Sequence, residues 1–172
     1  MSPPEQNGWI EAVVAEYERP LTRYALHMLG DVERARDVVQ DVFLRCLAQD
    51  RDKLSLNLRA WLYTVCRNRV LDILRKESRM RTSDESGLLA LQGNEPAPEQ
   101  GVQHKEVLGR ALQQLAELPS RQQEVLRLKF QDGLSYKEIA AVTTHSVSYV
   151  GVLLHEGMKT LRTRLAPLGP EA

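Results

Sequence analysis

Residues 59–81, RAWLYTVCRNRVLDILRKESRMR, carry seven Arg or Lys residues against two acidic residues, although the whole chain of 172 residues has a formal net charge of zero. Read as a helix, at about 100° per residue, this stretch places its apolar residues on one side. That side can build a core, and the concentration of cations implies an anionic partner. The predicted core side consists of Leu58, Leu62, Val65, Cys66, Val70 and Ile73.

The opposite side of this basic helix offers groups that suit a nucleic acid. Trp61 can stack on a base, Asn68 can form hydrogen bonds, and Arg75 can bind a phosphate, which is the combination used by sites for single-stranded nucleic acid. Thr64 and Leu71 complete that side. Two plainer interpretations stay open at this point: a solvated basic helix that covers a core, and a Trp61 ring that packs on the surface.

The composition predicts an all-helical protein. Hydrophobic residues make up 42% of the chain and aromatic residues only 5%, while Leu, Ala, Arg, Glu, Gln and Val dominate. The length fits one ordinary domain or two small ones. The first residues lack the pattern of a signal peptide, and no segment approaches the roughly 20 apolar residues of a membrane span. We therefore expect a cytoplasmic protein with no membrane insertion.

Motifs for catalysis or for cofactor binding are missing from the sequence. It contains no glycine-rich phosphate loop, no GxSxG elbow and no HExxH pair. The four histidines lack the spacing of zinc ligands, and Cys46 and Cys66 each fall on the apolar side of a predicted helix. We predict no catalytic residues, no metal site and no cofactor, with both cysteines in the core.

The segment before the basic helix predicts two more helices. The first covers 9–29, with Pro20 expected to bend or split it and Gly30 to end it. Asp31 is the predicted N-cap of the second, which runs to about Gln49. Its predicted core side consists of Ala35, Val38, Val39, Val42, Phe43 and Cys46, and its outer side of Asp37, Gln40, Asp41 and Leu44.

A change of composition divides the chain. Residues 82–103 are rich in Ser, Gly, Pro and acids, which is typical of a flexible connector, so we predict domains at 1–81 and 104–172. In the second domain, Ser120 with Gln123 and Ser135 with Glu138 have the spacing of capping boxes. The first of these helices should end at Gly133. The next covers 135–142, and the last begins near Ser146, which together make a helix-turn-helix. The predicted core stripe of the last helix is Val147, Val150, Leu154, Met158 and Leu161.

Three strings resemble one protein family. RAWLYTVCRNRVLDILRK at 59–76 resembles the segment with which bacterial extracytoplasmic-function (ECF) sigma factors, members of the sigma-70 family, melt DNA and read the minus-ten promoter element. DVVQDVFLR at 37–45 resembles the motif with which they dock on RNA polymerase. LPSRQQEVLRLKFQDGLSYKEIAAV at 118–142 resembles their minus-thirty-five domain. The resemblance implies a non-enzymatic initiation factor whose partners are core RNA polymerase, promoter DNA and an anti-sigma factor.

The resemblance also implies which residues act. Residues 48–57, AQDRDKLSLN, lie where these factors hold a flipped-out promoter base, but they are too generic to assign singly. The implied polymerase contacts are Asp37, Gln40, Asp41 and Leu44. The implied contacts with melted minus-ten DNA are Trp61, Arg67, Asn68, Arg75 and Lys76. The helix-turn-helix contacts, taken from the outward side of the last helix, are Ser146, Ser148, Tyr149, His155, Lys159 and Arg162.

The last helix departs from the family pattern. Thr144 replaces the turn glycine, and His145 replaces an apolar residue. Cations that the family has on this helix are replaced as well. Because phosphate contacts supply much of protein–DNA affinity, their loss should make duplex binding weak. A stand-alone helix-turn-helix regulator stays possible, as does a sigma-like adaptor whose last helix binds protein through Val152, Leu153 and Met158. The positions where the family has cations hold Gly151, Leu153, Glu156 and Met158.

Overall fold

The computed structural model describes residues 2–81 and 102–166, with no account of the side chains of residues 102–104. Within these ranges the protein is helical and has no strand, which confirms the all-α prediction. The helices form two compact units, α1–α4 and α5–α8, and each is described by itself. Most of the predicted connector 82–103 lies outside the described residues. The helices are α1 Pro3–Leu29, α2 Val32–Leu47, α3 Arg51–Leu54, α4 Leu58–Arg81, α5 Val102–Ala116, α6 Ser120–Phe130, α7 Tyr136–Thr143 and α8 Val147–Leu165.

Helix α1 is longer than predicted and is not split at Pro20. It begins at Pro3, where the missing N–H of proline costs nothing in a first turn. Pro20 removes one helical hydrogen bond at a cost of about 3 kcal/mol. The buried residues Leu21, Tyr24 and Ala25 offset that cost by packing, since α1 lies against both α2 and α4. Gly30 ends α1 as predicted, with a left-handed φ of 73° that glycine adopts without strain.

Helix α2 follows the sequence prediction closely. The Asp31 carboxylate accepts hydrogen bonds from the N–H groups of Glu33 (2.9 Å) and Arg34 (3.2 Å), so it is the N-cap. All six residues of the predicted core side are buried. The helix ends at Leu47, two residues early. Burial raises the pKa of the Cys46 thiol, which keeps this core group neutral.

Helix α4 packs through the predicted apolar side. Leu62, Cys66 and Val70 are buried, while Leu58, Val65 and Ile73 are half-buried. Tyr63, which the periodicity did not place on the core side, is also buried, and its ring lies 5.3 Å from that of Tyr24 on α1. An ion pair between Arg34 and Glu77 joins α2 to the far end of α4.

The second unit corrects one predicted cap. Ser120 is the first residue of α6 and makes no capping hydrogen bond, and Pro119 holds the N-cap position. Gln123 points backward instead: its Nε2 donates to the carbonyls of Ala116 (2.9 Å) and Leu118 (2.7 Å), and this closes the turn after α5. Helix α6 ends at Phe130, three residues before Gly133.

Helices α7 and α8 form the predicted helix-turn-helix. The Ser135–Glu138 capping box is present, with both of its hydrogen bonds at 3.1 Å. Thr144 is the C-cap after α7, and its left-handed φ of 58° is costly for a β-branched residue. The Ser146 hydroxyl then caps α8 by accepting from the Tyr149 N–H at 3.1 Å.

The predicted core stripe of α8 is partly wrong. Val150 and Leu154 are buried, and Met158 and Leu161 are half-buried, but Val147 is 46% exposed. Leu153 and Gly157, one turn apart on a neighbouring flank, are buried instead. Gly157 explains why the buried side of α8 differs from the predicted one. A Cβ there would lie 2.8 Å from Leu126 Cδ1, so the glycine lets α8 approach α6 more closely than any other residue would allow.

The two glycines of α8 give a matched test of this packing. Gly151→Ala should raise the free energy of unfolding by about 0.5–1 kcal/mol, because alanine is the better helix former. Its Cβ would meet only Tyr136 Cε2 at 3.8 Å, which is an ordinary contact. Gly157→Ala should lower the free energy of unfolding by about 1 kcal/mol or more, because the clash with Leu126 exceeds that gain. Urea unfolding of the two variants measures both, and changes of the same sign would contradict the close approach of α8 to α6.

Candidate nucleic-acid and polymerase interfaces

The outward face of α2 carries an exposed leucine among charged groups. Leu44 is 62% exposed, and Asp37 and Gln40 are exposed as well. Asp41 is partly covered: its Oδ2 pairs with Nε of Arg45 at 3.3 Å and with Nε of Arg69 on α4 at 3.4 Å. The four predicted residues therefore share one face, on which Asp41 is held by two cations.

A groove of about 450 Å³ continues this face toward α1. Gln40 and Leu44 form part of its lining, and the residues that α1 contributes are partly apolar. Leu44 is therefore the exposed edge of a larger apolar surface rather than an isolated side chain. The full lining is Ile10, Val14, Glu18, Thr22, Arg36, Val39, Gln40, Phe43, Leu44 and Leu47.

The outer face of α4 keeps several polar groups open to solvent. Asn68, Arg75 and Lys76 are exposed, whereas Trp61 and Arg67 are half-buried. Arg75 Nη1 lies 3.6 Å from Asp72 Oδ1, a surface pair that costs little to break. The five predicted residues extend over four turns of one helix, so they can follow a strand of nucleic acid along its length.

Thr64 differs from its neighbours on this face. Its hydroxyl donates to the Ala60 carbonyl at 2.7 Å and therefore points along the helix. Trp61 is half-buried, so part of this residue is covered and part is open to solvent. Stacking on a base and packing on the protein are thus both open to this one side chain.

The outward side of α8 carries the predicted helix-turn-helix residues, and its first turn makes contacts within its own unit. Ser148, His155, Lys159 and Arg162 are exposed, while Tyr149 is half-buried. The ring of His145 meets the ring of Tyr149 edge-on, with 4.9 Å between centroids. The Tyr149 hydroxyl accepts a hydrogen bond from Arg121 Nη1 at 3.4 Å. Tyr149 is therefore fixed in place before any ligand binds.

Arg121 is a candidate that sequence reasoning missed. It belongs to α6, is exposed, and reaches the first turn of α8 through Tyr149. It thereby returns a guanidinium to a surface whose own helix lacks the expected cations. The signal was present in the LPSR string of the minus-thirty-five resemblance, but periodicity along one helix could not show which helices meet.

The structure corrects the set of apolar residues offered for a protein partner. Leu153 is only 5% exposed and belongs to the core, and Met158 is half-buried. Val152 remains exposed, together with Val147.

No group of three or more His, Cys, Asp or Glu side chains within 2–81 and 102–166 is placed to hold a metal ion. No helix in the same part of the chain is long and apolar enough to cross a membrane.

Comparison with known proteins decides the family. Residues 13–80 match the family model for Sigma-70 region 2, and residues 108–161 match that for Sigma-70, region 4. The ECF RNA polymerase sigma factor SigL of Mycobacterium tuberculosis is 31% identical over 170 residues, which cover 93% of this chain and 90% of SigL. The chain belongs to the ECF RNA polymerase sigma factors. It is therefore an alternative sigma factor that directs transcription initiation, and sigma factors are not themselves enzymes.

More distant relatives agree with this assignment. SigW, an ECF RNA polymerase sigma factor of Bacillus subtilis, is 27% identical over 165 residues, covering 91% of this sigma factor and 88% of SigW. Among solved structures, the sigma factor RpoE of Bartonella quintana, crystallised with the anti-sigma factor NepR, matches with a TM-score of 0.68. That match has 22% identity and covers 91% of this chain and 96% of RpoE, so it shows a shared fold.

Proposed function

We propose that this sigma factor docks on core RNA polymerase through the outer face of α2 and opens promoter DNA with the outer face of α4. The supporting observation is that both faces belong to one unit and are linked where Asp41 on α2 pairs with Arg69 on α4. Residues 1–81 then act as region 2, residues 82–103 as a connector, and residues 104–172 as region 4.

The polymerase contact takes its energy from Leu44 and its orientation from the acids. Burying a leucine fully is worth about 1.5–3 kcal/mol, which makes this side chain the natural anchor. Asp37 and Asp41 carry negative charge next to it, so a basic surface on the polymerase would complement them. Because Arg45 and Arg69 already hold Asp41, it loses little conformational freedom on docking.

The melting contact uses α4 as a rigid platform. Trp61 stacks on an unpaired base, and Asn68 reads a base edge. The cations Arg67, Arg75 and Lys76 hold the phosphates. Stacking one base on an aromatic ring is worth about 1–3 kcal/mol, similar in size to the cost of unstacking it from the duplex. The sigma factor thus favours the open promoter by binding energy alone, without a cofactor or a catalytic group.

Region 4 contributes a weak contact with minus-thirty-five DNA. The exposed cations near the reading face are Lys159, Arg162 and Arg121, and the exposed carboxylate of Glu156 opposes them. Ser146, Ser148, Tyr149 and His155 supply hydrogen-bonding groups. Few phosphates are neutralised by such a surface, so its affinity for duplex DNA is low.

Two further assignments follow from this role. Bacterial promoters and their polymerase lie in the cytoplasm, so the protein works there. Its relative RpoE was crystallised with an anti-sigma factor, and we propose that an anti-sigma factor also regulates this chain.

A second role, as an adaptor that binds protein through α8, has one observation in its favour. Val147 and Val152 are both nearly half exposed near the start of the reading helix. The stand-alone regulator considered from sequence does not account for the region 2 match over 13–80. In the adaptor role, a protein partner would cover these two valines.

The polymerase contact is tested by Leu44→Ala. Losing the anchor should weaken binding to core polymerase by about 1–2 kcal/mol, roughly five- to thirtyfold, because a buried leucine is replaced by a methyl group. Val32→Ala, on an exposed residue at the other end of α2, is the matched control and should change affinity less than twofold. Titration against labelled core polymerase measures both. Equal effects of the two substitutions would remove Leu44 from the interface.

Promoter melting is tested by Trp61→Ala in complexes with core polymerase. We expect the free energy of promoter opening to become less favourable by about 1–3 kcal/mol, the worth of one lost stack, so that open-complex occupancy falls. Polymerase affinity should stay unchanged. Permanganate reactivity of melted thymines reports the opening, and Trp61→Phe, which keeps a ring, should restore part of it. Unchanged reactivity in Trp61→Ala would mean that the ring only packs on the protein.

Region 4 is tested by the salt dependence of binding to minus-thirty-five duplex. Glu156→Lys should steepen the slope of log affinity against log salt by about 1, and Arg121→Ala should flatten it by about 1, since each changes one phosphate contact. Arg110→Ala, which removes an exposed cation from α5, serves as the control. A steep slope and strong sequence preference in the unaltered protein would contradict weak reading by α8.

A further inference from the structure

The first two turns and more of α1 lie outside the region 2 match, which begins at residue 13. They nevertheless make specific contacts with the rest of their unit. Gln6 Nε2 donates to the carbonyl of Leu47, the last residue of α2, at 3.4 Å. The guanidinium of Arg51, the first residue of α3, lies over the ring of Trp9 with Cζ 5.7 Å from the centroid. We call these two contacts the α1 brace.

A charged group supports the brace. The Ser2 N–H donates to Glu5 Oε2 at 3.1 Å. This hydrogen bond lowers the pKa of Glu5, and the nearby cation of Arg51 lowers it further by a smaller amount. Glu5 is thus a carboxylate at neutral pH and attracts the same arginine that lies over Trp9. Arg51 is drawn toward α1 by both a ring and a charge.

The brace contacts the beginning of the 48–57 turn, at the end of α2 and the start of α3. Asp50 caps α3 by accepting from the Asp52 N–H at 3.1 Å, and Leu54 is buried as its anchor. The N–H of Asn57 donates to the Leu54 carbonyl at 3.1 Å, and the N–H of Trp61 donates to the Asn57 carbonyl at 3.0 Å. These two hydrogen bonds link the end of α3, through Asn57, to the first turn of the basic helix α4.

The turn presents an apolar side chain to solvent. Leu56 is 83% exposed, so it contributes little to the packing of this unit. It lies five residues before Trp61 along a hydrogen-bonded backbone. An exposed apolar side chain this close in sequence to Trp61 is suited to contact an unstacked base.

We propose that Trp9 and Gln6 are positioning residues for promoter recognition: they fix α3 so that the 48–57 turn holds Leu56 beside the base-binding face of α4. This rests on the proposed function of α4. An unbraced turn would have to be ordered when DNA binds, and that entropy would be subtracted from the discrimination between bases. The brace removes the cost beforehand. Its residues touch no DNA themselves.

The test measures base preference separately from polymerase binding. Full-length protein with core polymerase is given a promoter library randomised across the minus-ten element, and heparin-resistant open complexes are sequenced. Trp9→Ala should reduce the enrichment of the preferred bases about two- to fivefold, the worth of one exposed cation–π contact, with polymerase affinity unchanged. Trp9→Phe, which keeps a ring for Arg51, should restore most of it.

Two controls separate positioning from general stability and from direct DNA contact. Met28→Ala, about 28 Å from Trp9 along α1, should lower the unfolding free energy without changing base preference. Arg51→Ala should resemble Trp9→Ala, and the double variant should lose no more than either single one, because both break the same contact. Additive losses would overturn the brace and assign Arg51 to DNA directly.

The remaining outcomes are equally distinct. An unchanged preference in Trp9→Ala, with reduced thermal stability, would overturn the proposal and leave the brace as packing only. Failure of the unaltered protein to form open complexes on any library member would instead refute the proposed function of α4. The two failures therefore cannot be confused.

Discussion

The N-terminal unit depends on the apolar stripe of α4, because a single helix has to complete a core and present cations at the same time. Leu62, Cys66 and Val70 are fully buried against the neighbouring helices. Their burial fixes the rotation of α4, and so determines which side chains face outward. A rotation of one residue position, about 100°, would bring Trp61 into the buried position that Leu62 now holds. The position of the nucleic-acid face therefore follows from the packing and needs no separate device.

Charge pairing sets how much of the basic helix is available. Arg69 is engaged by Asp41 and Glu77 by Arg34, and both pairs link α4 to α2. Arg75 and Lys76 of the same helix remain exposed. The acids that tie the helices together thus take up part of the positive charge of α4 and leave part of it open to solvent. A chain of zero net charge can still bind a polyanion, because its cations are concentrated on this helix.

Sequence periodicity was sufficient where one helix meets a broad core, and insufficient where two helices meet at a point. The six core residues of α2 and the Asp31 and Ser135 caps could be predicted because each depends on local spacing. The inward side of α8 could not, because Gly157 allows an approach that depends on Leu126 of another helix. The uninterrupted α1 is a similar case, since packing around Pro20 outweighs its helix-breaking tendency. For the sites, the faces of α2 and α4 followed from the sequence, but Arg121 and the α1 brace did not, because both join residues from different helices.

The weak DNA binding proposed for α8 is consistent with a factor that works only in complex with polymerase. Nonspecific binding to DNA typically has a dissociation constant of about 10⁻⁴–10⁻⁶ M, too weak to locate a promoter by itself. In the proposed function, the α2 face holds the sigma factor on polymerase and α4 engages the melted strand, so the second domain is tethered near the upstream duplex. Tethering can give an effective concentration on the order of millimolar, which exceeds such dissociation constants. A region 4 with few cations can then be occupied on the promoter, whereas on random DNA it dissociates. On the proposed function, the missing cations of α8 would therefore cost little promoter affinity and would lower competition from the rest of the genome, so that discrimination would depend on the proposed minus-ten contacts of α4.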